Sequence, residues 1–408
     1  MSEATGATAD KPLPMAGIRV LDAATFQAAP FCATILGEFG AEVIKIEQPG
    51  AGDPLRAYGT IDPCGDSYIW LSEARNKKSI TLNLRDPKGK EIFKRLAGRC
   101  DVLCENFRPG TLEKWGLGYE TLRADHPGLV MLRVSAYGQT GPDKDKPGFA
   151  RIAHAFSGVS YLNGDPDRPP ASPGIPALGD YLGGLYGALG VLLALRAREQ
   201  NGEGQYIDVS LYEPIFRMLD EVAPVYAKRG IVRERMGADM ALACPHSHYP
   251  TADGKWVAIS CSSDKMFERL AGLMGRPELA AADAYGKTAA RLAARDEMNR
   301  LVGDWTAGLD RDEVLRLCDA ADMPAGPVYS IADIFADPQY AARGDLLKIL
   351  DPRAGELVVP GVFPVLSETP GRLDHAGPAL GAQNDDVYGG LLGMGADDIA
   401  ALRRDGVI

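Results

Sequence analysis

The run Ile18-Arg-Val-Leu-Asp22, the segment 31–39 and the run Glu42-Val-Ile-Lys-Ile46 together decide the fold. The first is an apolar run of strand length. The second has helical periodicity, Gly40 ends it, and the third is another strand. Two buried-type strands joined by a helix read as a unit in which the strands run parallel. Working outward, residues 79–84 form a further strand that runs into Asp86-Pro87, an N-cap followed by proline at the first helical position. A helix over 88–96 leads to a strand over 101–105, and 129–134 reads as another. Strands alternating with helices in this way predict an α/β fold with a largely parallel sheet covered on both faces. No GxGxxG follows the first strand, so a dinucleotide fingerprint is absent.

Asp180, in Pro176-Ala-Leu-Gly-Asp-Tyr-Leu-Gly-Gly184, opens a long apolar helix expected to run to about residue 199. Along it Gly184, Gly187 and Gly190 recur every third residue. Glycine costs about 1 kcal/mol in a helix interior, so such a row predicts close approach of another backbone. Asn201-Gly-Glu-Gly204 makes a turn, residues 205–210 return as a strand, and a helix is expected over 211–228. Near residue 230 the chain becomes richer in Ala, Arg and Asp, with a strand over 256–261 and a helix over 264–274. Met323-Pro-Ala-Gly-Pro-Val328 reads as a linker, after which strands near 346–350 and 357–359 rejoin the first part. The expected organisation is a large domain beginning with 12–225, a linker and small inserted domain over 226–325, and a linker and returning C-terminal segment over 326–408.

Composition narrows the function classes. Apolar residues at 46% and charged residues at 24% are ordinary for a globular enzyme. A net charge of −11 argues against nucleic acid or an anionic membrane as partner, although a local basic cluster can still hold a polyanionic ligand. No stretch reaches the roughly 20 uninterrupted apolar residues of a membrane span. Residues 1–11 lack a basic start and an apolar core, so they read as a disordered lead-in and not a secretory signal. Seven cysteines show no paired framework, and Cys100 and Cys104 lack a second ligand pair; a cytoplasmic protein with reduced thiols and no metal is expected.

For Asp180 two readings stand. A carboxylate in the first turn of a helix accepts hydrogen bonds from the free amides and faces the positive end of the dipole, which describes a cap. The same position suits a carboxylate nucleophile held ionised and aimed at an electrophile.

Several segments in colinear order carry a resemblance: Gly17-Ile-Arg-Val-Leu-Asp22, Gly40-Ala-Glu-Val-Ile-Lys-Ile-Glu47, Gly50-Ala-Gly-Asp53, Asn76-Lys-Lys-Ser79, Glu105-Asn-Phe-Arg-Pro-Gly110, Gly116-Leu-Gly-Tyr119, Tyr137-Gly-Gln-Thr-Gly-Pro142, Gly202-Glu-Gly-Gln205 and Gly326-Pro-Val328. Together they resemble the family III CoA-transferases, of the formyl-CoA transferase and carnitine CoA-transferase type, from about residue 12 onward. The resemblance implies a Rossmann-like large domain built from N- and C-terminal segments, a small inserted domain, and an interlocked homodimer. It also implies a reaction in which an aspartate attacks an acyl-CoA and forms an acyl-aspartyl anhydride. CoA thiolate then makes an enzyme–CoA thioester, from which an acceptor acid takes the CoA. Asp180 matches that aspartate, and Gly179 beside it lets the CoA sulfur come close. Gln27, in Thr25-Phe-Gln-Ala-Ala-Pro30, matches an active-site glutamine suited to donate to the oxyanion; a surface glutamine is the plainer alternative.

CoA is then the cosubstrate, and its phosphates call for Arg or Lys with backbone amides. By the same resemblance Ala28, Leu82, Arg85, Asn106, Phe107, Arg108 and Lys114 line its site, with Phe107 beside the adenine. Tyr137, Arg151, His246 and His248 are assigned to the substrate acid, and Arg56 is a further candidate cation for an acceptor's second carboxylate. For the two histidines a structural role stands beside the binding one. The sequence departs from formyl-CoA transferase at Thr25, Gln48, Ser135 and Gly148, and has no glycine-rich loop between Met236 and Asp253. The pattern is closer to the branch that uses succinyl-CoA with citramalate, malate, mesaconate, itaconate or glutarate. The rivals are an α-methylacyl-CoA racemase-like isomerase and a non-catalytic acyl-CoA-binding protein. The racemase needs a Gly-His-Asp base where this chain has Gly148-Phe-Ala-Arg151, and His154 is off that register.

Overall fold

A computed structural model describes residues 11–408, so most of the expected lead-in lies outside the described residues. The chain divides into two compact units, each described by itself. The larger comprises 11–159, Pro173–Ala223 and Ala341–Ile408, and the smaller Ser160–Ser172 and Pro224–Tyr340.

Six strands build the sheet of the larger unit: β1 (Arg19–Asp22), β2 (Glu42–Glu47), β3 (Lys77–Thr81), β4 (Val102–Glu105), β5 (Val130–Ser135) and β6 (Tyr206–Ser210). All neighbours are parallel and the order is β3-β2-β1-β4-β5-β6, a Rossmann-like winding. Alternate side chains sort to the two faces, as the two-residue period of a strand requires. Val20, Val43, Val102 and Val130 enter the core under helix α1 (Ala28–Glu38) and the long helix Leu178–Asn201. Leu21, Ile44, Leu103 and Met131 enter the opposite core with Phe93. Tyr388, Ile399, Leu402 and Val407 fill that second core, so the returning tail is part of the large unit's interior.

The glycine row on the long helix works as a packing device. A Cβ on Gly184 would meet the Ala28 carbonyl oxygen at 2.5 Å, so glycine there is required for α1 and the long helix to approach. Gly187 and Gly190 instead admit side chains, Leu132 at 2.7 Å and Ile207 at 2.9 Å, so only one of the three meets another backbone. The expectation that nothing in this chain approaches a membrane span needs correction. Leu178–Asn201, 24 residues with a hydropathy of 1.5, is long and apolar enough by composition. Its buried glycines and alanines lie in the sheet's helical layer, so core packing accounts for that face, while Leu185, Leu189, Leu192 and Leu193 are exposed.

In the smaller unit, β7 (His246–Pro250), β8 (Trp256–Ser260) and β9 (Ala325–Pro327) form an antiparallel sheet. Arg291 is fully buried there; its guanidinium donates to the carbonyls of Cys244 at 2.7 Å and Tyr285 at 2.8 Å. Residues 323–328 are therefore not a linker: the Ala-Gly-Pro segment pairs with β8, and the smaller unit extends to Tyr340. The segment 211–228 is also not one helix. It breaks at Asp220, at φ 55, into Glu213–Arg217 and Val222–Arg229. A hairpin of β10 (Leu346–Asp351) and β11 (Gly355–Pro360) packs with Trp70 and Leu71.

Candidate active site

The sheet reverses its winding between β1 and β4, where β2 and β3 extend one way and β5 and β6 the other. Loops leaving the carboxyl ends of such strands diverge and open a crevice, the usual ligand position in open α/β sheets. The loop after β1 carries Thr25-Phe-Gln27, and the loop after β4 carries Asn106-Phe-Arg108. Asn106 ties them together: its Oδ1 accepts from the Thr25 amide at 2.9 Å and its Nδ2 donates to the Thr25 carbonyl at 2.7 Å. The Phe26 amide donates to Asp53 Oδ1 at 3.1 Å, while Phe26 sits at φ 60, a left-handed conformation that strains a bulky residue. Strain of this kind persists only where the surroundings over-determine it.

Beneath the loop lies a neutral quartet of Asp22, Lys45, Asp53 and Lys77, none more than 2% exposed. Lys45 Nζ is 2.9 Å from Asp53, and Lys77 Nζ donates to Asp22 at 2.9 Å and to the Pro30 carbonyl at 2.7 Å. Burial alone would lower the Lys45 pKa; Asp22 and Asp53 outweigh it and hold it above the usual lysine value.

Gln27 begins α1 and is 8% exposed, so the surface-glutamine reading fails. Its Nε2 donates to the Tyr181 hydroxyl at 3.1 Å and keeps a second N–H for another acceptor. Phe31 meets the Tyr181 ring edge-on with centroids 4.8 Å apart, fixing the phenol. This contact brings Gln27 to the residue after Asp180.

Asp180 itself is the third residue of the long helix, which starts at Leu178 with Ala177 as its cap and no side-chain capping bond. The cap reading is therefore corrected: the half-buried carboxylate accepts no hydrogen bond and pairs with no cation among the described residues. Burial, with no compensating cation, pushes its pKa up to about 6 from 3.8. At neutral pH it is mostly ionised, with no cation or hydrogen-bond donor to stabilise the charge among the described residues. Gly179 is buried by protein: a Cβ there would lie 3.3 Å from Ile215 Cδ1 and 3.5 Å from His154 Nε2.

The residues assigned to CoA separate into groups. Arg85, Arg108 and Lys114 are exposed and pair with no acid among the described residues. Phe107 is half-buried against Trp115, centroids 5.4 Å apart. Ala28 starts α1 at the crevice with its side chain buried. Asn106 holds the Thr25 loop, a role the sequence did not indicate. Leu82 has its side chain sealed in the core at 1% exposure and its amide donates to the Glu47 carbonyl at 2.8 Å, so no side chain is offered to a ligand.

Among the substrate candidates, Tyr137 stands edge-on to Phe156 at 5.1 Å, on the loop after β5. Arg151 is exposed and unpaired on the Ala150–Ser157 helix. Arg56 is excluded as an acceptor cation: it is buried on Trp70, bonded to Glu47 at 2.6 and 2.8 Å and to Asp66 at 2.9 Å. His246 and His248 belong to the smaller unit, on a groove of about 340 Å³, where His246 Nδ1 meets Ser260 Oγ at 3.2 Å. His154 is fully buried and its Nε2 accepts from the Gly179 amide at 3.1 Å, so that lone pair is not free to act as a base. Sequence reasoning missed Lys45, Asp53, Lys77 and Tyr181. Lysines inside otherwise apolar buried strands were the available signal for Lys45 and Lys77.

A Rossmann-like parallel sheet with Gln27 and an unpaired Asp180 near its switch point defines a class: an α/β protein with a candidate site at the crevice. A sequence model of CoA-transferase family III matches residues 15–384. The chain is 55% identical to the succinyl-CoA–L-malate CoA-transferase beta subunit of Chloroflexus aurantiacus, over 97% of this chain and 98% of that one. It is 44% identical to the succinyl-CoA–D-citramalate CoA-transferase of the same bacterium, over 97% and 98%. The Mus musculus succinyl-CoA:glutarate CoA-transferase is 32% identical over 98% and 91%. A CaiB/BaiF family protein from Brucella suis superposes with a TM-score of 0.83 at 32% identity, covering 93% of this chain and 100% of that one. The chain belongs to CoA-transferase family III and is a CoA-transferase.

Proposed function

We propose that this enzyme moves CoA from succinyl-CoA to a free dicarboxylate, with malate and citramalate the foremost acceptors and mesaconate, itaconate and glutarate further ones. Asp180 attacks the succinyl thioester carbonyl, the C–S bond breaks, and CoA thiolate leaves a succinyl-aspartyl anhydride. The thiolate then attacks the aspartyl carbonyl, which releases succinate and leaves an aspartyl–CoA thioester. The acceptor carboxylate displaces thiolate to form a second anhydride, and the thiolate attacks the acceptor's acyl carbon. Acyl-CoA departs and Asp180 returns as a carboxylate carrying one oxygen from the acceptor. Each addition develops an oxyanion, for which the spare N–H of Gln27 is the donor.

The observation that carries this reading is the unpaired carboxylate of Asp180, raised to about 6, one residue from the Gln27–Tyr181 hydrogen bond. The names of the Chloroflexus and mouse relatives support succinyl-CoA as donor and a dicarboxylate as acceptor. Arg85, Arg108 and Lys114 would take the CoA phosphates, and Arg151 the acceptor's second carboxylate. Donors crossed with free acids and read by mass spectrometry test the assignment. Succinyl-CoA with malate or citramalate should give the highest turnover; transfer only to monocarboxylates would overturn the substrate class.

The same proposal includes a cytoplasmic homodimer. Leu185, Leu189, Leu192 and Leu193 form an exposed apolar row on the long helix, the kind of surface a subunit contact covers. Seven free thiols suit a reducing compartment. Light scattering at assay concentration should give twice the chain mass, and an active monomer would reject the dimer.

A further inference from the structure

We infer that His154, as a neutral imidazole protonated on Nδ1, is a positioning residue that clamps the Gly179 amide and so fixes the helical turn presenting Asp180. This rests on the reading of Asp180 as nucleophile. A backbone amide can only donate, so the 3.1 Å contact requires a lone pair on Nε2, which places the ring proton on Nδ1. The imidazole is fully buried, and burial, reinforced by Arg151 on the same helix, lowers its pKa and keeps it neutral.

Two features separate this histidine from ordinary core packing. Nδ1 is buried with no hydrogen-bond partner, a cost that a leucine of similar bulk would avoid. The amide it holds is also singular within the first turn. Leu178 donates to Ile175 at 3.3 Å and Tyr181 to Ala177 at 3.0 Å, both backbone acceptors, whereas Gly179 is held by a side chain from another helix. A Cβ at 179 would lie in ordinary contact with the imidazole at 3.5 Å, so this turn packs directly on the ring. Free amides at a helix start are otherwise satisfied by water or by the helix's own caps, and neither fixes orientation as rigidly.

The test uses the full chain labelled with 15N-histidine. His154→Gln identifies the signal by its loss, and the wild-type ring should show a non-protonated Nε2 and a protonated Nδ1 near neutral pH. The opposite tautomer, or an imidazolium, overturns the inference whatever the activity. In turnover, His154→Gln keeps a side-chain acceptor and should hold kcat within about threefold. His154→Leu removes the acceptor and should cut kcat at least about tenfold with KM for the acyl-CoA donor nearly unchanged, because misplacing a reacting group by a fraction of an ångström is enough. Equal kcat in the Leu and wild-type enzymes overturns the clamp. Wild-type transfer that survives Asp180→Asn overturns the nucleophile reading instead, so the two failures are distinguishable.

Discussion

Two sets of acids in the larger unit are handled in opposite ways. Asp22 and Asp53 are wholly buried and matched by Lys45 and Lys77, four charges summing to zero. Asp180 is half-buried and matched by nothing. The paired acids hold the strained loop that presents Gln27, so their charge is spent on geometry. The unpaired acid has its lone pairs unengaged among the described residues. Pairing builds the frame here, and on the proposed mechanism its absence leaves Asp180 able to react.

The largest effect that could break this contrast is at Asp180. Asp180→Asn should lower transfer by at least about a thousandfold, because the displaced group is itself the nucleophile. A rate within tenfold of wild type would place the chemistry elsewhere. Removing one partner from the quartet should be felt in stability. Lys45→Met leaves Asp22 and Asp53 with one cation between them and is expected to cost about 3–5 kcal/mol in urea unfolding, since a broken buried pair strands a charge. An unfolding midpoint near wild type would show the quartet to be dispensable. Gln27→Ala should reduce kcat by about 100-fold, the usual loss of one oxyanion donor, with a smaller change in KM.

The smallest effect sharpens the comparison most. The Asp180 pKa is about 6 folded and 3.8 as an ordinary aspartate. A raised folded value means its stabilising contribution is complete below about pH 4 and lost as pH rises through 6. Asp180→Asn should therefore match wild type in stability near pH 4 and exceed it by roughly 2–3 kcal/mol above pH 7. A helix cap would behave oppositely, losing about 1 kcal/mol on substitution.

Much of the fold was legible. Apolar strand runs, the Asp86-Pro87 helix start and the glycine after residue 39 gave the α/β alternation, and five of six sheet strands lie within two residues of their expected starts and ends. The strand expected at 79–84 begins at Lys77 and ends at Thr81, because Leu82 and Leu84 are core residues of the turn beyond it. The β9 pairing was hidden because Pro-Ala-Gly-Pro resembles a breaker, and only the β8 partner supplies its hydrogen bonds. At the site, the residue types of Asp180 and Gln27 were visible, but the absence of any cap on Asp180 was not. Whether a carboxylate is satisfied depends on neighbours distant in sequence, such as Tyr181 meeting Gln27 or His154 taking the Gly179 amide. Arg56 failed for the same reason: a lone arginine in sequence is a free cation until Glu47 and Asp66 fold onto it.

The most direct test of Asp180 as the acyl carrier uses acceptor acid labelled with 18O in its carboxylates, turned over with unlabelled succinyl-CoA. The peptide containing Asp180 should become heavier by a labelled oxygen in its side-chain carboxyl, because each cycle returns one acceptor oxygen to that group. If transfer proceeds and the Asp180 carboxyl stays unlabelled, the aspartate takes no covalent part.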